Sequence, residues 1–105
     1  MERIVEEGLL YDFYGPLLTG HQQKVYEMAV YDDLSLNEIA EMEGVSKQAV
    51  HDLLKRTTSL LRGYEDKLRL IAKSEKIRKI AKTIEESSTE KAVKQLAAEI
   101  VKESL

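Results

Sequence analysis

The residues best suited to contact another molecule are long polar side chains that recur between positions 46 and 62. The amide of Gln48 can hydrogen-bond adenine through two atoms, and Lys55 can donate to guanine or to a phosphate. Asp52 can accept from cytosine but would repel a phosphate. At helical spacing these three side chains point most directly away from a core. The spacing therefore predicts a helix face that contacts base edges in a major groove.

Other polar residues flank these three and are suited to positioning the backbone of a nucleic acid. His51 and Arg56 lie on the two sides of the outward stripe, Lys47 lies in the first turn, and Arg62 lies farther along. Hydroxyl groups at helix starts can add contacts to phosphate. The alternative for each residue is an ordinary solvated side chain. The predicted nucleic-acid-binding residues are Ser35, Ser46, Lys47, Gln48, His51, Asp52, Lys55, Arg56 and Arg62.

A helix-turn-helix is predicted to hold these side chains. Ser35 and Glu38 have the spacing of a capping box, in which each side chain bonds the other's backbone amide. Gly44 can adopt the left-handed conformation that ends a helix, and Val45 can fill the angle between the two helices. Ser46 is suited to cap the second helix. The inward stripe of that helix is Val50, Leu53, Leu54 and Thr57.

The sequence around this turn resembles a known family. The segments YDFYGPLLT, DDLSLNEIAE and VSKQAV together closely resemble the YlxM family of bacterial helix-turn-helix proteins, whose motif is similar to region 4 of sigma factors. The resemblance covers residues 9–70. It implies a DNA-binding, transcription-regulating protein that is associated with the signal recognition particle pathway. At Glu43 the family usually has an apolar residue, so we expect looser packing at that corner.

Charge is distributed unevenly along the chain. Residues 1–45 carry two basic and ten acidic side chains, a net charge of -8, whereas residues 46–82 carry eleven basic and four acidic ones, a net charge of +7. The change of sign coincides with the start of the second motif helix. Such asymmetry favours a polyanionic partner, with duplex DNA placed before RNA. The alternative is a non-catalytic adaptor whose basic half binds an acidic protein or a ribonucleoprotein.

Two further helices are predicted before the motif. The first covers residues 2–14 and ends at Gly15-Pro16. Its aromatic residues could stack on bases, but we expect them to pack in the core instead. Thr19 and Gln22 form a second capping box, which opens a helix through about Val30. The predicted inward residues are Ile4, Val5, Leu9 and Phe13 in the first helix and Val25, Met28 and Ala29 in the second.

The chain after the motif continues with helical period. A heptad seam is formed by Val50, Leu54, Thr57, Leu61, Tyr64, Leu68 and Ile71. It is too short for a free coiled coil, so it should pack on the first helix or on a second copy. Residues 57–59 and Gly63 are weak helix formers at which the long helix could divide. A basic helix over residues 72–86 and a last helix, opened by a capping box at residues 87–90, can form a hairpin.

These patterns together predict an all-α fold with a trihelical helix-turn-helix domain, extended by a long helix and a C-terminal hairpin. Residues 1–70 are predicted to form the nucleic-acid-binding domain, and residues 71–105 to form an extension that packs within the chain or across a homodimer. The apolar positions of the second half exceed what one trihelical unit can cover, which favours the homodimer.

Catalysis has almost no support in this sequence. There is no cysteine, which excludes disulfides and thiolate metal sites. Asp32 and Asp33 lack a third ligand, and neither His21 nor His51 accompanies a nucleophile. We therefore predict no enzymatic activity, no cofactor, no metal and no small-molecule substrate. No run of apolar residues is long enough for a signal peptide or a membrane helix, so the expected location is the cytoplasm.

Overall fold

The computed structural model describes residues 3–87 and 89–104, and it shows only helices there, with no strand. The elements are α1 (Arg3–Tyr14), a short 3₁₀ helix (Gly15–Leu17), α2 (Gly20–Val30), α3 (Leu36–Glu43), α4 (Lys47–Leu68), α5 (Leu70–Ser87) and α6 (Lys91–Glu103). The predicted all-α fold is confirmed. The chain forms two compact units, Met1–Leu68 and Arg69–Leu105.

Helices α2, α3 and α4 share the main core of the first unit. Its buried residues are Val25 and Met28 from α2, Ile39 and Ala40 from α3, and Val50 from α4. Five partly buried residues pack against them: Ala29, Leu34, Leu36, Leu53 and Leu54. The predicted inward residues of α2 and α4 therefore meet the buried face of α3, and this fixes the outward direction of the remaining α4 residues.

Helix α1 packs on α4 through a different face from the predicted one. Leu10 and Tyr14 are buried, whereas Val5 is exposed and Leu9 and Phe13 are only partly buried. The side chain of Ile4, also predicted inward, lies outside the described residues. The prediction is wrong because the contacts with α4 set the rotation of α1, and helical period along a short helix does not reveal those contacts.

Tyr14 is the main anchor between α1 and α4. Its hydroxyl donates to the Glu65 carboxylate, and its ring centroid lies 6.1 Å from that of Tyr64. Leu61, one turn before Glu65, is fully buried. This part of the heptad seam is therefore covered within the chain by α1, which was one of the two predicted arrangements.

Helix α4 runs unbroken for 22 residues, so it does not divide at its weak helix formers. Thr57 is buried, and its hydroxyl donates to the Leu53 carbonyl at 2.8 Å. Burial and this bond compensate for the low helix propensity of threonine. The chain breaks instead at Arg69, whose φ of 59° is left-handed. Neither glycine nor proline marks this break.

In the second unit, α5 and α6 pack against each other as the predicted hairpin. The buried residues in the described part of this unit are two alanines, Ala81 and Ala97. The larger members of the apolar stripes stay exposed: Ile80 is 55% exposed and Leu96 is 61% exposed. The small residues thus bring the two helices close together and leave an apolar outer surface.

The predicted capping box at the start of α6 is wrong. Ser87 is the last residue of α5, and its hydroxyl donates to the Thr83 carbonyl at 2.6 Å. Glu90 occupies the N-cap position, and its side chain makes no capping hydrogen bond. Ser88 lies outside the described residues. The serine hydroxyl bonds a carbonyl of its own helix instead of the amides of the next one, a competition that short polar side chains often show.

Candidate nucleic-acid interface

Three serine and threonine caps fix the ends of the helices around the turn. Thr19 Oγ1 accepts from the Gln22 amide at 3.2 Å, and Ser35 Oγ accepts from the Glu38 amide at 3.1 Å. In both cases the second side chain accepts in return from the cap residue's amide, which completes the box. The bond from the Ser35 amide holds the pKa of the Glu38 carboxyl below its ordinary value. The capping boxes predicted at Thr19 and Ser35 are confirmed.

The turn itself has the predicted glycine geometry. Gly44 has a φ of 66°, and the Val45 amide donates to the Ala40 carbonyl at 3.0 Å, which is a Schellman-type helix end. Ser46 Oγ then accepts from the Ala49 amide at 3.0 Å and caps α4. The prediction that Val45 fills the angle between the helices is wrong, because this side chain remains 49% exposed.

The corner beside the turn is not loosely packed, contrary to the expectation from Glu43. One carboxylate oxygen of Glu43 lies 2.9 Å from His21 Nε2, and the other lies 3.2 Å from Lys24 Nζ. The Glu43 side chain is only 11% exposed. An acidic residue at this position therefore joins α3 to α2 by polar contacts, in place of the apolar contact that the family resemblance suggested.

The start of α4 presents the predicted contact residues to solvent. All six predicted positions within its first ten residues are exposed, while Val50 is buried and Leu53 and Leu54 are partly buried. The exposed residues are Lys47, Gln48, His51, Asp52, Lys55 and Arg56. Because the inward stripe is fixed in the core, this face is held in a defined orientation.

Asp52 connects two of its neighbours on this face. Gln48 Nε2 donates to Asp52 Oδ1 at 2.9 Å, one helical turn apart. His51 Nδ1 lies 3.5 Å from the same oxygen. In the free protein the Gln48 amide is therefore held along the helix by a charged acceptor. The Gln48 amide keeps a second N–H and its carbonyl oxygen, so Asp52 sets the orientation of the amide while leaving these two groups available.

A groove of about 650 Å³ brings together predicted residues that are distant in sequence. Ser35 at the start of α3 lines it together with His51, Lys55 and Arg62 of α4. Ser46, which caps α4, does not line this groove, and neither do Lys47, Gln48, Asp52 and Arg56. The predicted site thus divides into an outward face at the start of α4 and a groove along the side of the same helix.

Two groove residues were missed from the sequence. Thr58 and Ser59 were considered only as weak helix formers, yet both line the groove. The signal was present for Thr58, since His51, Lys55, Thr58 and Arg62 follow the i, i+4, i+7 and i+11 spacing of one helix face. The Tyr26 hydroxyl lies 3.1 Å from Thr58 Oγ1 and ties the groove to the core of α2.

Arg62 already has a partner inside the chain. Its Nε lies 3.3 Å from the Glu6 carboxylate of α1, and both side chains are about half exposed. The pair is accessible to solvent, so a phosphate could compete with Glu6 for the guanidinium group. This contact gives Arg62 a role in positioning α1 that the sequence pattern did not indicate.

The paired aspartates after α2 were considered from the sequence as metal ligands. Asp32 and Asp33 lie in the exposed turn after α2, where Asp33 has a left-handed φ of 53°. In the part of the chain that the structure describes, no group of three or more histidine and acidic side chains could hold a metal ion. None of the helices described has the length and apolar content needed to cross a bilayer.

Comparison with known proteins bears directly on this arrangement of α2, α3 and α4. Residues 1–100 match the UPF0122 family, which is described as helix-turn-helix proteins, YlxM / p13 like. The chain belongs to this family. The resemblance inferred from the motif is confirmed, and the match extends beyond residues 9–70 into α5 and α6.

Several curated relatives in the UPF0122 family are similar over most of their length. UPF0122 protein BH2485 of Halalkalibacterium halodurans is 42% identical over 92 residues, which are 88% of this chain and 84% of the relative. UPF0122 protein STH1464 of Symbiobacterium thermophilum is 39% identical over 87 residues, 83% of this chain and 81% of the relative. A UPF0122 protein of Bacillus thuringiensis is 42% identical over 102 residues. Membership supports a DNA-binding regulator in general.

Proposed function

We propose that this UPF0122 protein is a regulator that binds duplex DNA with the first half of α4 in the major groove. The observation that carries the proposal is the exposed polar face of α4 opposite a fixed inward stripe. Val50 is buried, while Gln48, Asp52 and Lys55 are exposed. A major groove admits one α-helix, and side chains of this length reach its base edges.

The groove along the side of α4 suits the sugar-phosphate backbone. It combines the cations Lys55 and Arg62 with the hydroxyl of Ser35, which lies at the positive end of α3. Contacts of this type fix the orientation of a protein on the duplex and carry little sequence information. The outward face would then supply specificity, and the groove would supply affinity that depends on salt.

Asp52 gives the proposed interface a way to discriminate between sequences. On a duplex without a suitable base pair, the carboxylate loses water and gains no donor, which opposes binding. Where cytosine offers its amino group, Asp52 accepts from it, and the Gln48 amide is free to turn toward adenine. The hydrogen bond between Gln48 and Asp52 in the free protein keeps both polar groups satisfied until a target replaces it.

The proposal extends to the regulatory role, the location and the oligomeric state. Transcription regulation and association with the signal recognition particle are supported by the resemblance to YlxM proteins. Cytoplasmic location agrees with these roles. A homodimer is supported by the exposed apolar surface of α5 and α6 and would suit paired half-sites. In this proposal residues 1–70 bind nucleic acid, and residues 71–105 form the dimer or packing element.

Binding titrations over a range of salt concentrations test the proposal. Duplex DNA, a structured RNA and signal recognition particle ribonucleoprotein would each be titrated with the full chain. Phosphate binding predicts that log K falls linearly with log salt, with a slope that reports the number of phosphates neutralised. A Gln48→Ala, Lys55→Ala double variant should lose both affinity and selectivity for the best duplex.

The same titrations distinguish a DNA-binding regulator from the adaptor alternative. An adaptor that holds a partner mainly through apolar contacts would show an affinity that changes little with salt. A folded double variant that binds its best target with unchanged affinity and selectivity would contradict the role given to α4. A non-catalytic protein-binding function would then account better for the basic second half.

A further inference from the structure

A second groove, of about 740 Å³, runs along α4 on another side from the one described above. Its apolar lining comes from Leu53, Leu60, Gly63 and Tyr64, and Gln22 of α2 closes one side. Leu60 is 42% exposed although it lies in the middle of the longest helix. Residues 53–67 of a helix extend about 21 Å, so the groove has the length of a four-turn helix.

Gly63 leaves an opening in this apolar lining. It lies inside α4 with a negative φ, and an added Cβ would meet nothing within 4 Å. No turn or close approach within the first unit therefore requires glycine, although glycine weakens a helix interior relative to alanine. A small residue at a helix crossing lets the backbone of a second helix approach closely. The missing side chain makes room for such an approach.

The charges around the groove are of one sign. Lys55, Arg56 and Lys67 line it, and no acidic side chain is among its lining residues in the described chain. The cations lie beside an apolar strip, so a matching occupant needs apolar side chains on one stripe and carboxylates next to it. The cations alone could also attract phosphate, but duplex DNA presents no apolar stripe to cover Leu60 and Tyr64, whereas an amphipathic helix does.

We propose that this groove is a docking site for an acidic amphipathic helix of a partner protein. Such helices bind through apolar residues at i, i+4 and i+7 spacing, which would contact Leu53, Leu60 and Tyr64. Glutamates beside this stripe would pair with Arg56 and Lys67 at the edges, where they favour encounter and orientation. The proposal goes beyond the nucleic-acid interface, because Gly63, Leu60 and Lys67 are not among the residues assigned to DNA.

The test uses full-length protein and two synthetic helical peptides of matched sequence. Both peptides carry leucine at i, i+4, i+7 and i+11, and one has glutamate and the other lysine at the flanking positions. Methyl groups of Leu53 and Leu60 report binding by NMR. We expect the acidic peptide to shift these methyl signals and to bind at least tenfold more tightly than the basic peptide.

Substitutions in the groove separate occupancy from folding. Gly63→Leu should fill the opening and lower the affinity for the acidic peptide at least tenfold. It should also raise the midpoint of thermal unfolding, because leucine is the better helix former. Lys67→Glu should also lower the affinity for the acidic peptide. Lys91→Glu makes the same charge change on α6 and should leave that affinity unchanged. Gly63→Leu should leave duplex DNA affinity unchanged.

Three results would overturn the proposal. In the first, the acidic peptide leaves the Leu53 and Leu60 methyl signals in place or binds no better than the basic one. In the second, these signals move with protein concentration alone, so that a second copy occupies the groove. In the third, Gly63→Leu lowers the affinity for duplex DNA and not the affinity for the peptide, which would assign the groove to nucleic acid. Failure of the DNA proposal would appear separately, in the titrations of the Gln48→Ala, Lys55→Ala variant.

Discussion

His21 Nε2 lies 2.9 Å from Glu43 Oε1, and this contact joins the start of α2 to the end of α3 beside the turn. An ionised carboxylate can only accept, so the imidazole donates. The bond from His21, followed by the one from Lys24, holds the pKa of the Glu43 carboxyl below its ordinary value of 4.5. The orientation of the helix-turn-helix therefore depends in part on a polar contact that the folded state makes with an ionised group.

The Glu43 contact makes a prediction about acid stability. Because the pKa of Glu43 is lower in the folded chain than in the unfolded chain, the unfolded chain takes up this proton at higher pH. The stabilisation is complete above the ordinary carboxyl value and is lost as the pH falls through the lower folded value. Glu43→Gln should reduce the free energy of unfolding at pH 7 and flatten its dependence on pH below 4.5.

Urea unfolding followed by circular dichroism at a series of pH values measures this effect. Glu41→Gln is the matched control, since Glu41 is exposed on the same helix and its replacement removes the same charge. If the two variants give superimposable curves of unfolding free energy against pH, the His21 and Lys24 contacts do not stabilise the corner.

Asp52→Asn should change both the affinity and the selectivity of the proposed DNA interface. The substitution removes the one negative charge on the exposed face of the first half of α4, so unrelated duplexes should bind more tightly. Discrimination at the base pair that Asp52 contacts should fall by about 1 to 3 kcal/mol. Competition titrations with a panel of single-base-pair variants would measure it. Equal affinities of the variant and the wild type for every duplex would contradict a position of Asp52 in the interface.

Arg62→Ala and Glu6→Gln should have opposite effects on DNA binding. Removing Arg62 should lower the affinity for all DNA sequences alike, and it should reduce the slope of log K against log salt by about one unit. Glu6→Gln frees the guanidinium group from its charged partner and should raise the affinity for all DNA sequences. Each change should alter the free energy of unfolding by less than about 1 kcal/mol, as is usual for an exposed ion pair. Unchanged binding in both variants would leave Arg62 as a contact to α1 alone.

Leu61→Glu should unfold the first unit or nearly so. Leu61 is fully buried where α4 meets α1, and a buried carboxylate without a partner costs about 4 kcal/mol or more. Lys73→Glu reverses a charge at an exposed position of α5 and should change stability by less than about 0.5 kcal/mol. Chemical denaturation of both variants measures these changes in the free energy of unfolding. A Leu61→Glu protein with wild-type stability would mean that this stripe of α4 is not packed as described.

A homodimer through the second unit should depend on the exposed apolar stripe of the hairpin. Ile80→Glu places a charge on this stripe without disturbing Ala81 and Ala97, which hold α5 and α6 together. We expect sedimentation to show a dimer of the wild type at tens of micromolar and a monomer of the variant. Lys82→Gln, at an exposed position of the same helix, should leave the dimer intact. A monomeric wild type at these concentrations would remove the homodimer from the proposal.

Local signals in the sequence were sufficient for the helix-turn-helix. The capping boxes at Thr19 and Ser35, the left-handed Gly44 and the cap at Ser46 all formed as predicted. Each of these depends on a side chain and a backbone group within a few residues, so no distant contact is needed to specify it. The outward direction of the predicted α4 residues followed in the same way from the inward stripe.

Tertiary packing decided which faces and charges meet. It buried Leu10 and Tyr14 instead of the predicted face of α1, and it kept α4 continuous through Thr57. Nucleic-acid binding by the outward residues of α4 stays a prediction.

The sequence by itself determined the helical class, the caps at Thr19, Ser35 and Ser46, the glycine turn and the family. Only the tertiary structure decided that Glu43 pairs with His21 and Lys24, that Arg62 pairs with Glu6, and that Ser35 shares a groove with Arg62. The physical reason is range. A cap or a stripe is fixed by neighbours along one helix, whereas these partners are separated by 19 residues or more and meet only after the hydrophobic core has set the rotation of each helix.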